Sequence, residues 1–298
     1  MSEVQPPQNR SFLSNIFLSP DEPRLRAGWR LLLQTLLLFV FGMAFGIVAL
    51  IFGGLPELIG PLVGQLLNFF IITSSVYVAR RWFDKRSFES LGLKVDKYTL
   101  LDILAGMGIT FLQMGFIFVA MLGLGWLTFE GFAWEFDPIN TVIAGVLNFL
   151  VVFLLVGWNE ELLSRGYHLQ TIASGLNLFW GVIISSAVFG LLHLGNPNAT
   201  WMSAAGIFFA GVYLAYGYIR TKQLWLPIGL HIGWNFFEGV VFGFPVSGLD
   251  IYALTRISVH GPELWTGGAF GPEAGLIVLP SLVLGALLIY LYTRTRTN

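Results

Sequence analysis

The sequence contains no cysteine in its 298 residues. The chain therefore has no disulfide bridge, no thiolate metal ligand and no cysteine nucleophile. Charged residues are also scarce: they make up 11% of the chain, whereas a soluble domain carries about 25%. The net charge is only −1, so the chain has no strongly basic field of the kind that binds nucleic acid, and we expect no nucleic-acid partner.

Apolar residues take the place of the missing charge. They account for 55% of the chain, and the mean hydropathy is +0.74. Eight apolar segments approach or exceed the roughly 20 residues that a helix needs to cross a bilayer. They cover about 31–53, 58–79, 101–127, 141–163, 178–194, 201–219, 225–243 and 275–292. The runs are continuous and do not alternate, which excludes a transmembrane β-barrel. We predict an all-α fold, a polytopic membrane helix bundle with about eight transmembrane helices.

The basic residues indicate how the chain is oriented in the membrane. Of the 16 Lys and Arg residues, all except Arg256 fall in alternate loops of this layout. The positive-inside rule places those loops and both termini in the cytosol. We therefore expect an integral membrane protein with both termini in the cytosol, surrounded by lipid. We further expect this membrane to be a bacterial plasma membrane. The stretches 128–140 and 244–274 lie on the other side, and we predict that they form ordered extracytoplasmic turns.

Polar and ionisable residues interrupt three of the apolar segments. Such residues are costly inside a membrane and are usually functional. Glu160, Glu161 and Arg165 end segment 4, His193 ends segment 5, and His231, Asn235 and Glu238 lie on segment 7. This concentration in one part of the chain predicts a site within the bundle.

Helical spacing separates the two adjacent glutamates. Glu161 and Arg165 are four residues apart and can form an ion pair along one helix face. Glu160 points about 100° away from Glu161, and its neighbour on the same face is Ser164, which carries no charge. We therefore expect Glu160 to be available for chemistry and the ion pair to be structural.

The predicted helix levels bring the other polar residues close to Glu160. A helix that continues from segment 4 to a turn at 174–177 would form an antiparallel hairpin with segment 5, and Glu160 and His193 would lie at similar depth. His231 and Asn235 are four residues apart and share a helix face. These residues together predict one polar site within the membrane.

Three short motifs resemble those of the CPBP (Abi) family. They are EELLSRG at 160–166, FGLLH at 189–193 and HIGWN at 231–235, and the family pattern is Glu-Glu-x-x-x-Arg, Phe-x-x-x-His and His-x-x-x-Asn. The family includes the type II CAAX prenyl endopeptidases and bacterial proteins of bacteriocin processing or self-immunity. The resemblance covers residues 141–243 and implies an intramembrane endopeptidase that acts on a membrane-associated peptide or protein.

The resemblance also implies a role for each motif residue. Glu160 would activate the attacking water, and His193 would hold and orient it. His231 and Asn235 would donate hydrogen bonds to the oxyanion, while Glu161 and Arg165 would support the site. The implied layout has four parts: a cytosolic N-terminal tail (1–26), transmembrane helices 1–3 (27–136), a catalytic four-helix core (141–243), and an extracytoplasmic loop with transmembrane helix 8 (244–298).

The metal requirement stays open at this point. Without metal, Glu160 would serve as both base and acid beside a His/Asn oxyanion hole. With zinc, Glu160, His193 and His231 would hold the ion and water would complete the set. Asn235 is a poor zinc ligand but a good oxyanion donor, which favours the metal-free form. No cofactor is certain, and zinc is the alternative.

Two non-proteolytic functions also fit these residues. An ion-coupled transporter uses intramembrane Glu and His, but the two halves of the chain show no repeat of the transporter type. A non-enzymatic partner-binding protein, such as a bacteriocin-immunity factor, could keep the same fold. Convergence of Glu160, His193 and His231 on one water-accessible cavity would favour hydrolysis, whereas a continuous polar path through the bundle would favour transport.

Overall fold

The computed structural model describes residues 11–20, 22–51 and 60–296, and most of them are helical. The helices are α1 Phe12–Phe17, α2 Ala27–Ile51, α3 Gly60–Val78, α4 Thr99–Gly123, α5 Ile139–Glu161, α6 Leu169–Gly175, α7 Leu178–Leu192, α8 Trp201–Thr221, α9 Trp225–Asn235, α10 Glu263–Thr266 and α11 Val278–Thr293. Three π-helical turns extend or join them, at Ala79–Phe83, Leu162–His168 and Phe236–Val241. The described residues also contain five 3₁₀ turns and two short strands, β1 Leu127–Phe132 and β2 Thr255–Val259.

Six helices in the described ranges are long and apolar enough to cross a membrane. They cover Ala27–Ile47, Gly60–Phe83, Thr99–Gly123, Ile139–Gly175, Leu178–Gly195 and Trp201–Thr221. The predicted helical membrane bundle is therefore confirmed. The last two predicted segments form shorter helices: α9 with its π turn ends at Val241, and α11 has 16 residues. The number of eight spans stays a prediction, and residues 52–53 and 58–59 of the first two segments lie outside the described ranges.

The helix that carries the two glutamates continues far beyond them. α5, the π turn Leu162–His168 and α6 form one apolar helix from Ile139 to Gly175. Asn177 then ends the turn, because its side chain accepts a hydrogen bond from the backbone N–H of Trp180 and caps α7. This hairpin returns the chain along α6 and the π turn Leu162–His168, and it brings the end of α7 to the depth of Glu160.

Close packing of α4 against α9 holds the third motif in place. A Cβ atom on Gly229 of α9 would lie 2.3 Å from the carbonyl oxygen of Ile103, and one on Gly106 of α4 would lie 2.4 Å from the backbone nitrogen of Leu230. The two backbones can therefore approach only because both residues are glycine. This contact fixes the position of α9 in the bundle.

The segments 128–140 and 244–274 are more structured than the sequence predicts. β1 and β2 form an antiparallel pair in which Leu127 lies opposite Val259, where we predicted only turns. The segment 244–277 also folds into the protein: Phe244, Val246, Phe270 and Ala274 are buried. Pairing between residues more than 120 positions apart leaves no local periodicity, so the sequence gives no signal for the sheet.

Candidate active site

The two adjacent glutamates have different surroundings at the end of α5. Adjacent helical residues point about 100° apart. The side chain of Glu161 is completely buried, whereas 33% of the Glu160 side chain remains exposed. Glu160 therefore faces open space, and Glu161 faces the interior of the bundle.

The buried carboxylate of Glu161 and its partner Arg165 together connect α5 to three other helices. Its Oε1 accepts hydrogen bonds from Arg165 Nη1 at 2.7 Å and from His231 Nδ1 at 2.7 Å. Arg165 in turn donates from Nη2 to the carbonyl oxygen of Gly211 on α8 at 3.1 Å. Its guanidinium also lies 4.3 Å from the ring centroid of Phe189 on α7. The ion pair thus ties α5 to α7, α8 and α9.

The two histidines direct the same ring nitrogen toward Glu160. His193 Nδ1 donates to the carbonyl oxygen of Phe189 at 2.8 Å, and His231 Nδ1 donates to Glu161. Their Nε2 atoms lie 3.9 Å and 3.7 Å from Glu160 Oε2. These separations exceed a hydrogen bond, so the three groups face one another without direct bonding.

A single cavity receives the residues of all three motifs. It has a volume of about 340 Å³, and Glu160, His193, His231 and Asn235 line it. Glu161 and Arg165 do not line the cavity; they are buried behind the lining residues. The end of α7 at Leu192 and the irregular backbone that follows form another wall, where Asn196 Nδ2 donates to the carbonyl oxygen of Ser247 at 3.0 Å. Most of the remaining lining is apolar.

Glu238 does not line this cavity, although its spacing from His231 and Asn235 predicts a shared helix face. The side chain is completely buried. α9 ends at Asn235 and continues as the π turn Phe236–Val241. The wider turn breaks the α-helical spacing, and this explains why the residue is not on the cavity wall.

The cavity wall contains a second carboxylate, Glu273, which belongs to none of the three motifs. Glu273 comes from the segment between β2 and α11, and its side chain lines the cavity. Its Oε1 accepts from Trp234 Nε1 at 3.0 Å, and its Oε2 accepts from Ser247 Oγ at 2.6 Å. Burial raises the pKa of the Glu273 carboxyl, and the hydrogen bond from Ser247 opposes this shift. Its one sequence signal is a lone glutamate within the stretch GPEAG at 271–275.

The donor set around Glu160 has the chemistry of a zinc site but not its spacing. Glu160 Oε2 is buried and has no hydrogen-bond partner among the described residues. Two ligand atoms on a tetrahedral zinc ion would lie about 3.3–3.6 Å apart, less than the 3.7 Å and 3.9 Å found here. No group of three or more His, Asp or Glu side chains in the described ranges is arranged to hold a metal. We therefore derive no step through a metal ion.

The helical core around the cavity is similar to a known protein family and to two bacterial proteins. Residues 142–237 match the family described as type II CAAX prenyl endopeptidase Rce1-like. The Bacillus subtilis protein named "Putative membrane peptidase YdiL" is 32% identical over 111 residues, which are 37% of this chain and 43% of that protein. An Escherichia coli "Uncharacterized 24.3 kDa protein" is 32% identical over 89 residues, or 29% of this chain and 40% of that protein.

These matches cover only part of this chain and part of each relative. The aligned residues span 43% and 40% of the length of the two relatives. The family match nevertheless contains all three motifs and the helices that carry them. The family resemblance that the motifs predicted is therefore confirmed: residues 142–237 are similar to the family described as type II CAAX prenyl endopeptidase Rce1-like.

Proposed function

We propose that this protein is an intramembrane endopeptidase that hydrolyses a peptide bond with water activated by Glu160. The observation that carries the proposal is the convergence of the Glu160 carboxylate with the Nε2 atoms of His193 and His231 on one cavity. A peptidase needs a base, an oxyanion site and room for a peptide at one place. Convergence on a cavity favours hydrolysis over ion transport, which needs a continuous polar path.

The first step forms the tetrahedral intermediate. Glu160 accepts a proton from water, and the water oxygen bonds to the carbonyl carbon of the substrate. His193 holds its Nδ1 proton on the carbonyl of Phe189, so in the neutral ring Nε2 is an acceptor that can orient the water. The negative charge of the intermediate develops on the former carbonyl oxygen.

His231 and Asn235 stabilise that oxyanion. His231 already donates from Nδ1 to Glu161, and the adjacent carboxylate stabilises a doubly protonated ring that presents Nε2–H to the cavity. The amide of Asn235 supplies a second donor. Loss of one such donor typically costs 10²–10³-fold in turnover, or about 3–4 kcal/mol.

The second step breaks the peptide bond. Glu160 now carries the proton taken from water and passes it to the leaving nitrogen. The carbon–nitrogen bond cleaves, a carboxylic acid and an amine are released, and Glu160 returns to its ionised form. One carboxylate thus acts first as base and then as acid, which balances the proton transfers. Glu161 and Arg165 contribute by holding His231.

The cellular setting is part of the proposal. We infer that both termini lie in the cytosol from the alternating distribution of Lys and Arg. We infer a bacterial plasma membrane from the similarity to a Bacillus subtilis protein named as a membrane peptidase. The four-part layout with a core at 141–243 is part of the same proposal and rests on the family resemblance. The substrate would be a membrane-associated peptide or protein, because the cavity lies among apolar helices. Zinc-dependent hydrolysis and non-enzymatic partner binding are the competing hypotheses.

Membrane proteomics tests the proposed activity without a known substrate. Cells expressing the wild type, Glu160→Ala or Glu263→Ala would be compared for peptide fragments in the membrane fraction. Glu263 is an exposed glutamate on α10 and serves as the control. We expect at least one fragment that is present with the wild type and the control variant and absent with Glu160→Ala. Identical fragments in all three samples would contradict the proposal.

A further inference from the structure

One wall of the cavity comes from outside the residues that match the family. Val246, Ser247, Leu249 and Glu273 line it, whereas the match ends at residue 237. Among these four, Glu273 is the only ionisable residue. A carboxylate at this position, together with the residues it bonds, is therefore a feature of the cavity that the family motifs do not explain.

The backbone of Glu273 is fixed against α8. A Cβ atom on Gly206 would lie 1.8 Å from the carbonyl oxygen of Glu273, so the segment contacts the helix directly where the side chain is missing. Gly271, two residues earlier, has φ +104°, a conformation that residues with a Cβ atom rarely adopt. Glu273 follows this tight turn, and only 5% of the residue is exposed.

The carboxylate of Glu273 reaches the helix that carries the proposed oxyanion donors. Oε1 accepts a hydrogen bond from Trp234 Nε1. Trp234 lies on α9 between His231 and Asn235 in the sequence and is itself 6% exposed. A bond at this position acts on the same helical turn as both donors.

That turn of α9 lies next to a change in helix geometry. The α-helix ends at Asn235, and the π turn begins at Phe236. If the π turn began one turn earlier in α9, Asn235 would rotate relative to the cavity, because the wider turn changes the angle between successive residues. A buried side-chain hydrogen bond from Trp234 to a residue outside the helix opposes that movement.

We propose that Glu273 is a positioning residue that fixes, through its hydrogen bond with Trp234, the turn of α9 that presents His231 and Asn235 to the cavity. Its effect on turnover rests on the proposed function. Its effect on the orientation of His231 does not depend on the proposed function. An experiment on that orientation can therefore fail or succeed independently of whether the protein is a peptidase.

Nitrogen-15 NMR of labelled histidine tests the orientation directly. The full-length protein, reconstituted in lipid nanodiscs, has four histidines, and histidine variants would assign the ring signals. We expect Glu273→Ala to shift the ring signals of His231. Glu273→Gln, whose amide oxygen can still accept from Trp234, should restore them in part, and Glu263→Ala in the same segment should leave them unchanged.

A double-mutant cycle tests whether the effect passes through Trp234. Trp234→Phe keeps an aromatic ring but removes the N–H donor. If Glu273 acts through this bond, Glu273→Ala should add little further shift of the His231 signals in the Trp234→Phe background. An undiminished shift in that background would overturn the proposal, as would unchanged His231 signals in the single Glu273→Ala variant. Melting temperatures of all variants would identify any that fail to fold. If Glu273→Ala failed to fold, Glu273→Gln would be compared with the wild type instead.

Turnover provides the second readout. With a peptide found by the proteomic screen, Glu273→Ala should lower kcat by about 10- to 100-fold, the scale of a misplaced catalytic group, and leave KM nearly unchanged. An equal rise of KM with unchanged kcat would overturn the positioning role. If the NMR shifts appear and no peptide is hydrolysed by the wild type, the proposed function fails while the positioning of His231 stands.

Discussion

Replacing Arg165 with alanine would leave the Glu161 carboxylate buried without its cation. The two side chains are 1% and 0% exposed, and their charged atoms are 2.7 Å apart. Arg165 also donates to the carbonyl of Gly211 and packs on the ring of Phe189. After the substitution, His231 would be the main remaining hydrogen-bond donor to Glu161. We therefore expect Arg165→Ala to destabilise the fold around the cavity.

The expected loss follows from the burial of the pair. Removal of one partner from a buried ion pair costs about 3–5 kcal/mol, because the other charge remains without compensation. One kcal/mol corresponds to roughly 2–4 °C in the melting temperature of a domain of 150–250 residues. Arg165→Ala should therefore melt roughly 6–20 °C below the wild type. A dye-based thermal melt in detergent or nanodiscs would measure the difference.

Two further variants make this reasoning testable. Arg165→Ala combined with Glu161→Gln should recover part of the loss, because the amide removes the unpaired charge and can still accept from His231. Arg86→Ala is the control: Arg86 pairs with Glu22, but the side chains are 46% and 37% exposed, and such surface pairs contribute about 0–1 kcal/mol. If the single and double variants melted alike, or if Arg165→Ala melted like Arg86→Ala, the account of the ion pair would be wrong.

Three further predictions address the chemistry and the packing. Asn235→Ala should lower kcat by about 10²–10³-fold and leave KM nearly unchanged, because the amide acts on the oxyanion; equal loss of substrate binding would contradict this role. Chelator treatment should leave turnover unchanged if the metal-free mechanism holds, whereas one zinc ion per chain, lost in His193→Ala and His231→Ala, would establish the zinc form. Gly229→Ala should destabilise the protein by about 1–3 kcal/mol, because the new Cβ would lie 2.3 Å from the carbonyl oxygen of Ile103. Gly108→Ala on α4 is the control in the same thermal melt, because a Cβ there would meet no atom of a neighbouring element within 4 Å.

The sequence predicted the features that depend on local spacing. Continuous apolar runs gave the helices, and the turn at 174–177 predicted the hairpin that returns α7 toward Glu160. The four-residue spacing of Glu161 and Arg165 predicted an ion pair of the kind that the structure contains. The motif residues Glu160, His193, His231 and Asn235 line one cavity, and their catalytic roles remain proposals.

Other features depend on contacts between distant residues or on small departures from α-helical geometry. The pairing of β1 with β2 and the contact of Glu273 with Trp234 join separate parts of the chain. Neither has a periodic pattern that the sequence could show. The π turn after Asn235 changes the direction of Glu238, and its apolar residues are compatible with an ordinary α-helix. These features could be found only from the structure.

Hydrolysis in oxygen-18 water tests the central claim most directly. The purified wild type and Glu160→Gln would be incubated with the peptide identified in membranes, and the new carboxyl terminus would be analysed by mass spectrometry. We predict that the wild type places one oxygen-18 atom in that carboxyl group and that Glu160→Gln loses about 10²–10⁴-fold of the rate, because an amide cannot accept the proton from water. Cleavage by Glu160→Gln at the rate of the wild type would contradict the role of Glu160 as the base.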